Sequence, residues 1–439
     1  MSATLDSARK KAYWRLLPIL FTCYVIAFVD RTNVAIAKLT MSRDLPGFND
    51  AVIGTAAGMF FLGYFLLEIP GSLIVERWSA RKWICRIMIT WGFMAALTAA
   101  VKTPFQFYSV RFLLGLSEAG FFPGVIVFLS HWFTSRDRAR ALATFVVATP
   151  VAEVISPKVS NFLLKIGATE IINGVPVHRP EVLGLEGWQW IYIFWGLPAV
   201  LLGIVVLLWL PDRPHQAKWL SNEEAAALEQ ELSEERARVQ AAGPRMSVLE
   251  ALRHPKVLLL ALAYFLTVTG SYGVQFFMPS ILRDWYHLEF NKLTWLLILP
   301  PLVAVGGSMF AGWSSDHFRE RRLHVVVPIA IGASALALMP STQGNLMLTV
   351  ICFMVAYLGF KSYIPVFWTL PSLLLTEAAA AGSIGLINSI GNLGGFLGPH
   401  LLGRLKTASD SFVGGLYCLS VSMFLSATLV FLLGLGKRR

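Results

Sequence analysis

The sequence predicts an all-α integral membrane protein of about twelve transmembrane helices, arranged as two pseudo-symmetric six-helix bundles. Three observations carry that prediction. Of 439 residues, 56% are hydrophobic and only 14% are charged, where a soluble domain carries about 25% charged residues. The apolar runs are about 20 residues long, the length of a helix that crosses a bilayer; a transmembrane barrel would show alternating segments of about 10. A short charged motif also recurs at corresponding places in the two halves of the chain.

Runs long enough to span lie near 16–38, 52–75, 83–101, 105–129, 140–165 and 190–210. A second set lies near 257–282, 292–315, 323–340, 345–370, 381–404 and 412–435. We number them spans 1 to 12 in chain order. Residues 1–210 are expected to form the N-terminal bundle and 257–439 the C-terminal bundle. Between them, 211–256 is the longest polar stretch and is expected to be a cytoplasmic or interfacial linker. Its "NEEAAALEQELSEERARVQ" places acids and bases such as Glu231, Glu235 and Arg236 at helical spacing.

Basic residues set the expected orientation. They cluster at the N-terminus (Arg9, Lys10, Lys11, Arg15), after span 2 (Arg77, Arg81, Lys82) and after span 4 (Arg136, Arg138, Arg140). They cluster again after span 8 (Arg319, Arg321, Arg322) and at the tail (Lys437, Arg438, Arg439). All fall on one side if both termini are cytoplasmic, as cytoplasmic loops are rich in Lys and Arg. The same rule explains the net charge of +11 without nucleic acid. No small-residue cleavage site follows Val25–Ala35, so the first span is expected to be retained rather than removed as a signal peptide. Cys23, Cys85, Cys352 and Cys418 form no C-x-x-C pair, so neither a metal site nor a disulfide is implied.

The recurring motif is "SLIVERWSARK" after span 2 and "GWSSDHFRERR" after span 8. In the first, Ser72 lies one helical turn before Glu76, followed by Arg77 and Arg81; in the second, Gly312 lies one turn before Asp316, followed by Arg319 and Arg321. The small residue permits close helix approach, and the acid can pair with the bases as a gating or structural device. A duplicated six-span unit is the pattern of a secondary transporter built from repeats.

Charges inside the spans point the same way. "YVIAFVDRTNVAIA" places Asp30, Arg31 and Asn33 within an apolar run, although each mid-bilayer charge costs roughly 2.5–3.5 kcal/mol on insertion scales. In span 4, Arg111 and Glu118 are seven residues apart on one helix face, about 10 Å along the axis. A carboxylate held by an arginine stays ionised; an anionic substrate that takes the arginine frees the carboxylate to accept a proton. Asp30 beside Arg31, and Glu118 with Arg111, have the composition for such coupling, and arginine offers a planar fork to a carboxylate. Asn33 is expected to link helices. Span 2 adds Tyr64 as a hydrogen-bond donor and, one turn on, Glu68, expected to pair with a cation or to satisfy backbone groups freed by Pro70. Glu153 and Lys158 lie in span 5 and Lys361 in span 10, where Glu–Lys pairing or snorkelling lysines are the plain expectation. Asn388 and Asn392 are one turn apart in the glycine-rich span 11, whose spacing suits helix packing rather than nucleotide binding. No Walker A motif, H-E-x-x-H, G-x-S-x-G or EF-hand loop is present, so the chain is not expected to be an enzyme or an ATP-driven pump and needs no cofactor or metal.

Several segments together resemble the anion:cation symporter family of the major facilitator superfamily. They are "DRTNVAIAKLTM", "FFLGYFLLEIPGSL", "RFLLGLSEAGFFPGVI", "GLEGWQWIYIFWGLPA", "LPDRPHQAKWLSNEE", "YGVQFFMPSIL", "GWSSDHFRERR", "PVFWTLP" and "INSIGNLGGFLGP". They cover nearly the whole chain in order and are most similar to bacterial tartrate, phthalate and hydroxyphenylacetate-type permeases. The resemblance implies a central cavity between two bundles and proton-coupled uptake of a small organic carboxylate across the bacterial inner membrane by alternating access. It implies that Asp30 and Glu118 carry protons and that Arg31 binds the substrate carboxylate. Tyr64, Arg111, Gln275, Trp368 and Asn388 are then substrate-side residues. The chain departs from the family pattern in span 5, "ATPVAEVISPKVSN", at Trp195, which replaces an acid, and at Lys361, where small or apolar residues are usual. Lys158 or Lys361 is therefore expected to add a second anion contact, suiting a dicarboxylate or an aromatic acid. The expected partners are the anion, protons and lipid, with a monomer as the working unit. The rival readings are a sodium-coupled carrier or anion exchanger of the same fold and, more remotely, a non-transporting receptor or scaffold, which would tolerate loss of Asp30 and Glu118.

Overall fold

A computed structural model of the chain describes residues 2–172, 175–241, 254–371 and 377–435. Nearly all of it is helix. Among the described residues, eleven helical stretches are long and apolar enough to cross a membrane. The expected twelfth, span 11, is split into helices Glu377–Asn392 and Gly394–Ser409. Glycines at 391, 394 and 395 weaken the helix there, because each lacks the side chain that restricts the backbone. Large apolar side chains such as Phe93, Phe162, Leu201, Met309 and Leu432 stand exposed on the outer surface, as a lipid-facing belt requires.

Local sequence signals start the helices. Asn49 accepts from the Val52 amide to open span 2, Asp50–Arg77. Ser79 does the same for span 3, Ala80–Leu97. Thr103 and Gln106 form a reciprocal cap, with Pro104 in the first turn, at the start of span 4. Span 6 is Gly187–Trp209, span 7 Pro255–Tyr286, span 8 Phe290–Phe318, span 9 Arg322–Leu338 and span 12 Val413–Leu433. One element was not legible in the sequence. The connection from span 5 to span 6 holds an antiparallel pair of strands, Thr169–Ile172 and Val175–His178.

Other spans are interrupted. Span 1 is Ser2–Thr32 then Val34–Asp44, and span 4 is Pro104–Glu118 then Phe121–Ser130. Span 5 is Ser135–Val146 then Ala148–Leu164, and span 10 is Leu346–Ser362 then Ile364–Phe367. The breaks in spans 1, 4 and 10 fall within two residues of Arg31, Glu118 and Lys361.

The first six spans meet the last six mainly in three places. Span 2 packs along span 11, span 5 against span 8, and the end of span 1 against span 7. The Ala51 amide donates to Thr407 at 2.9 Å, the Asn161 amide to Asn291 at 2.9 Å, and Arg283 to the Leu39 carbonyl at 2.7 Å. A Cβ on Gly54 would collide with the Pro399 carbonyl, and one on Gly403 with that of Asp50, so these helices touch backbone to backbone. All these contacts lie toward the end of the molecule that carries the connections after spans 1, 5, 7 and 11.

At the opposite end the described part of the linker packs against the N-terminal helix through its own helix, Asn222–Ala241. Glu224 accepts from Lys11 at 2.7 and 2.9 Å and from Ser7 at 2.7 Å, while Arg9 pairs with Glu231 and, at 3.2 Å, with Asp137. Trp219 stacks on Trp132 with ring centroids 5.4 Å apart. The hydrogen bond from Lys11, helped by the Ser221 amide and the Ser7 hydroxyl, pulls the Glu224 carboxyl from 4.5 down to about 2. A depressed carboxyl contributes to docking above pH 4.5 and loses that contribution as pH falls toward 2. Glu224→Gln should therefore lower the protection of amides across 222–241 at neutral pH, and acidification through this window should lower protection, measured against the intrinsic exchange rate at each pH, in the unsubstituted protein.

Candidate functional site

The charged centre is assembled by close contact between spans 2 and 4. A Cβ on Gly63 would strike the Phe112 carbonyl, and one on Gly115 the Phe60 carbonyl. The two backbones therefore approach as closely as helices can, and Phe60 and Tyr64 are carried under the span 1 charges. Gly120 adds the second constraint. Its φ of +83° is left-handed, which suits glycine. That turn ends the helix at Glu118 and lets the rest of span 4 restart.

The pairing differs from the one expected. Arg31 Nη2 donates to Glu118 Oε1, so the arginine of span 1 holds the glutamate of span 4. Arg111 makes no direct pair with Glu118, because it points into the packed interior a full two turns away. Its guanidinium lies 5.3 Å from the Phe60 ring centroid, is 0% exposed and has no hydrogen-bond partner on any of its three nitrogens among the described residues. Nor does Asp30 pair with its neighbour Arg31. Successive residues of a helix point in different directions, and Asp30 Oδ1 instead accepts from Asn33 Nδ2 at 3.0 Å. Asn33 thus serves its own span rather than linking helices.

Arg31 sits in an aromatic cradle, 5.3 Å from the centroids of both Phe60 and Tyr64. Its Nε, and Oε2 of Glu118, have no hydrogen-bond partner among the described residues. Glu118 is 1% and Asp30 2% exposed. The formal charges of Asp30, Arg31, Arg111 and Glu118 sum to zero, so the cluster is a neutral, water-poor knot. A guanidinium binds a carboxylate bidentately through two parallel N–H groups. On Arg31, an approach through Nε and Nη2 uses the edge that Glu118 shares.

Two further carboxylates bridge the halves. Glu68 in span 2 accepts from Asn388 at 2.6 Å, Ser389 at 3.0 Å and Asn392 at 3.4 Å, all in span 11. The expected cation or backbone partner for Glu68 is thus replaced by three neutral donors, and the Asn388 amide is spent on Glu68 rather than left open to a ligand. Glu153 in span 5 accepts from Lys361 in span 10 at 2.9 Å. Lys158 faces outward: it is exposed, with its ammonium 4.5 Å from the Trp295 ring. The periodicity explains this, since residues five apart on a helix diverge by more than a quarter turn.

The other expected residues are scattered. Gln275 lines a cavity of about 60 Å³ with Thr32, Glu153 and Tyr357. Trp368 packs edge-on to Tyr264 at 5.1 Å. In the motif after span 8, Asp316 pairs with Arg321 at 2.6 Å and Arg319 ends the helix at φ +50°. Gly312 makes no tight approach, as a Cβ there would meet only Pro365 at 3.9 Å. After span 2 the close approach belongs to Gly71, next to Ser72, where a Cβ would come within 3.4 Å of the Gly120 Cα. The Arg81 amide donates to Asp212 Oδ1 at 2.9 Å, tying this loop to the start of the linker. The side chains of Glu76 and Arg77, and the basic tail 437–439, lie outside the described residues. Lys38 carried no signal of its own in the sequence. It is buried, 3.4 Å from the Phe277 ring centroid and 3.8 Å from Asp50, at the end where the halves meet.

Comparison with known proteins agrees with this architecture. The profile of the Major Facilitator Superfamily matches residues 20–399. The chain is 39% identical over 424 residues to a protein of Agrobacterium vitis named "Putative tartrate transporter", covering 97% of this chain and 90% of that one. It is 37% identical to a quinolone resistance transporter of Acinetobacter baumannii, covering 95% and 93%, and 33% identical to the inner membrane transport protein RhmT of Escherichia coli strain K12, covering 99% and 97%. Among solved structures it resembles a bacterial homolog of the human lysosomal transporter Spinster, with TM-score 0.73, 17% identity and coverage of 95% and 96%. It also resembles the xylose transporter XylE from E. coli, with TM-score 0.72, 12% identity and coverage of 96% and 97%. A helical bundle that carries ionisable groups buried within its spans has the make-up of a membrane carrier. This chain belongs to the Major Facilitator Superfamily: it is a multi-pass membrane transporter and not an enzyme.

The Glu68 network offers a direct test. Glu68→Ala leaves three donors unsatisfied, and hydrogen bonds to a charged group contribute about 1.5–3 kcal/mol each. Glu68→Ala and Asn388→Ala should each lower the melting temperature of the purified protein. The double variant should fall short of the sum by about 0.5–3 kcal/mol.

Proposed function

We propose that this chain is a proton-coupled symporter that takes up a small organic carboxylate by alternating access. The observation that supports this reading most is the Arg31–Glu118 pair, in which the arginine Nε and the glutamate Oε2 are both left without a partner among the described residues. A carboxylate seated across Nε and Nη2 competes with Glu118 for the guanidinium. Glu118, once displaced, is a carboxylate in a low-dielectric site and takes a proton. The substrate adds one negative charge and the proton one positive charge, so the knot stays neutral while the halves rearrange. Asp30, held by Asn33 and under the field of Arg111, is the second proton-carrying group in this scheme. Tyr64 and Phe60 provide the faces against which Arg31 is held. Arg111, sealed behind Phe60, keeps the field balanced rather than touching the anion in this conformation.

We place both termini on the cytoplasmic side of the bacterial inner membrane, because the basic loops then obey the charge rule for membrane topology. The contacts between residues 1–210 and 257–439 then lie toward the periplasm, and the conformation is one closed to the outside. The names of the relatives range from tartrate to quinolones and do not select one anion.

Uptake of a panel of radiolabelled carboxylates into proteoliposomes, with and without an inward proton gradient, tests this function. Accumulation should follow the proton gradient and ignore sodium; a requirement for sodium, or for internal anion, would replace the proton reading by one of its rivals. Arg31→Lys should weaken binding by at least about tenfold, since an ammonium lacks the fork. Glu118→Gln and Asp30→Asn should abolish gradient-driven accumulation, while Glu118→Gln retains anion exchange.

A further inference from the structure

The knot at Arg31 is not the only carboxylate–cation pair at this depth. Glu153 and Lys361 are 2.9 Å apart, with side chains 10% and 21% exposed. Glu153 belongs to span 5 and Lys361 to span 10, so their bond crosses between the halves. A partly buried pair of this kind is costly to open, because removing one partner leaves the other charge uncompensated. A carrier whose halves move against one another must keep such a bond as a fixed hinge or hand each member a new partner.

The surroundings favour the second course. Lys361 lies 5.6 Å from the ring of Phe28 in span 1. Phe28 is three residues before Arg31, about 4.5 Å along the helix axis, so both cations approach the same turn of span 1. The helix of span 10 is interrupted at Tyr363, just past Lys361. Glu153 lines the same small cavity as Gln275 and Thr32, the residue after Arg31. The groups facing Glu153 are Lys361 and the Tyr357 phenol from span 10, and spans 1, 7 and 8 present uncharged residues such as Thr32, Gln275 and Leu297. Among the described residues that line this cavity Glu153 is the only charged one, so a proton is what neutralises it when Lys361 turns away.

We propose that Glu153–Lys361 is a second displaceable pair, in which Lys361 receives the distal carboxylate of a dicarboxylate whose first carboxylate sits on Arg31. Glu153, released from Lys361, takes a proton from the aqueous side to which the cavity is open. It gives that proton up when the dicarboxylate leaves and the pair closes again. This rests on the proton-coupled reading of the Arg31 site, and it makes diacid recognition and one additional proton per cycle properties of this pair.

The test uses the purified full chain in proteoliposomes with two matched probe pairs, succinate with butyrate and phthalate with benzoate. The variant is Glu153→Gln with Lys361→Met, which removes both charges together and leaves no buried ion unpaired. The unsubstituted chain should bind one diacid at least about tenfold more tightly than its matched monoacid, a difference of about 1.4 kcal/mol. The double variant should bring diacid affinity down to that of the matched monoacid and lower the proton count per diacid by one. Retained diacid preference in the double variant, or no preference in the parent while uptake still needs Arg31, overturns the proposal. Uptake indifferent to both Arg31→Met and the proton gradient overturns the symport reading beneath it as well.

Discussion

Arg31 and Glu118 have to leave water together, and much of the surrounding structure follows from that constraint. Neither charge is tolerable alone in a hydrocarbon-like interior, where each would carry a large desolvation cost. Joined, they leave Glu118 only 1% exposed and Arg31 13%. The joining demands that span 1 and span 4 meet at one level. Span 2 lies against both, and it can do so only because Gly63 and Gly115 let its backbone sink against that of span 4. Phe60 and Tyr64 then fall under the guanidinium as a consequence of helix approach.

The helix interruptions belong to the same physics. A continuous helix presents residues at fixed angular steps, which limits which side chains can converge on one point. Breaks at Asn33, at Ala119–Gly120 and at Tyr363 lie next to Arg31, Glu118 and Lys361. Each allows a charged residue to be aimed without committing the whole span to that angle. Irregular backbone within the membrane is tolerated only where protein surrounds it, and these breaks lie deep in the bundle.

The polar links between the halves are of two kinds. At the end where the halves meet, backbone contacts at Gly54 and Gly403 and single hydrogen bonds at Arg283 and Asn161 make a tight but mostly uncharged seam. Deeper in, Glu68 and Glu153 reach across to partners that can be exchanged: three neutral donors for Glu68, one ammonium for Glu153. A seam of backbone contacts is all-or-none, whereas a carboxylate can accept water, a proton or another donor as a neighbour withdraws. The deeper links are thus suited to a molecule that must open and close.

The sequence by itself determined the membrane class, the spans and which residues are out of place in a bilayer. Those follow from transfer free energies and from local spacing, which are properties of residues and short segments. Asp30, Arg31, Arg111, Glu118, Glu153 and Lys361 were all visible in this way, and the plain Glu–Lys reading of spans 5 and 10 describes the bond that forms. Only the tertiary structure decided the partners. Arg111 and Glu118 share a helix face yet do not pair, because Arg31 arrives from another span and is nearer. The partner of Asn388 could not be placed from spacing, since Glu68 is far away in the chain. Lys38 and the docking of the linker helix onto the N-terminal helix were missed for the same reason. Helical period fixes which way a side chain leaves its own axis; what it meets there depends on how closely glycine-lined backbones approach.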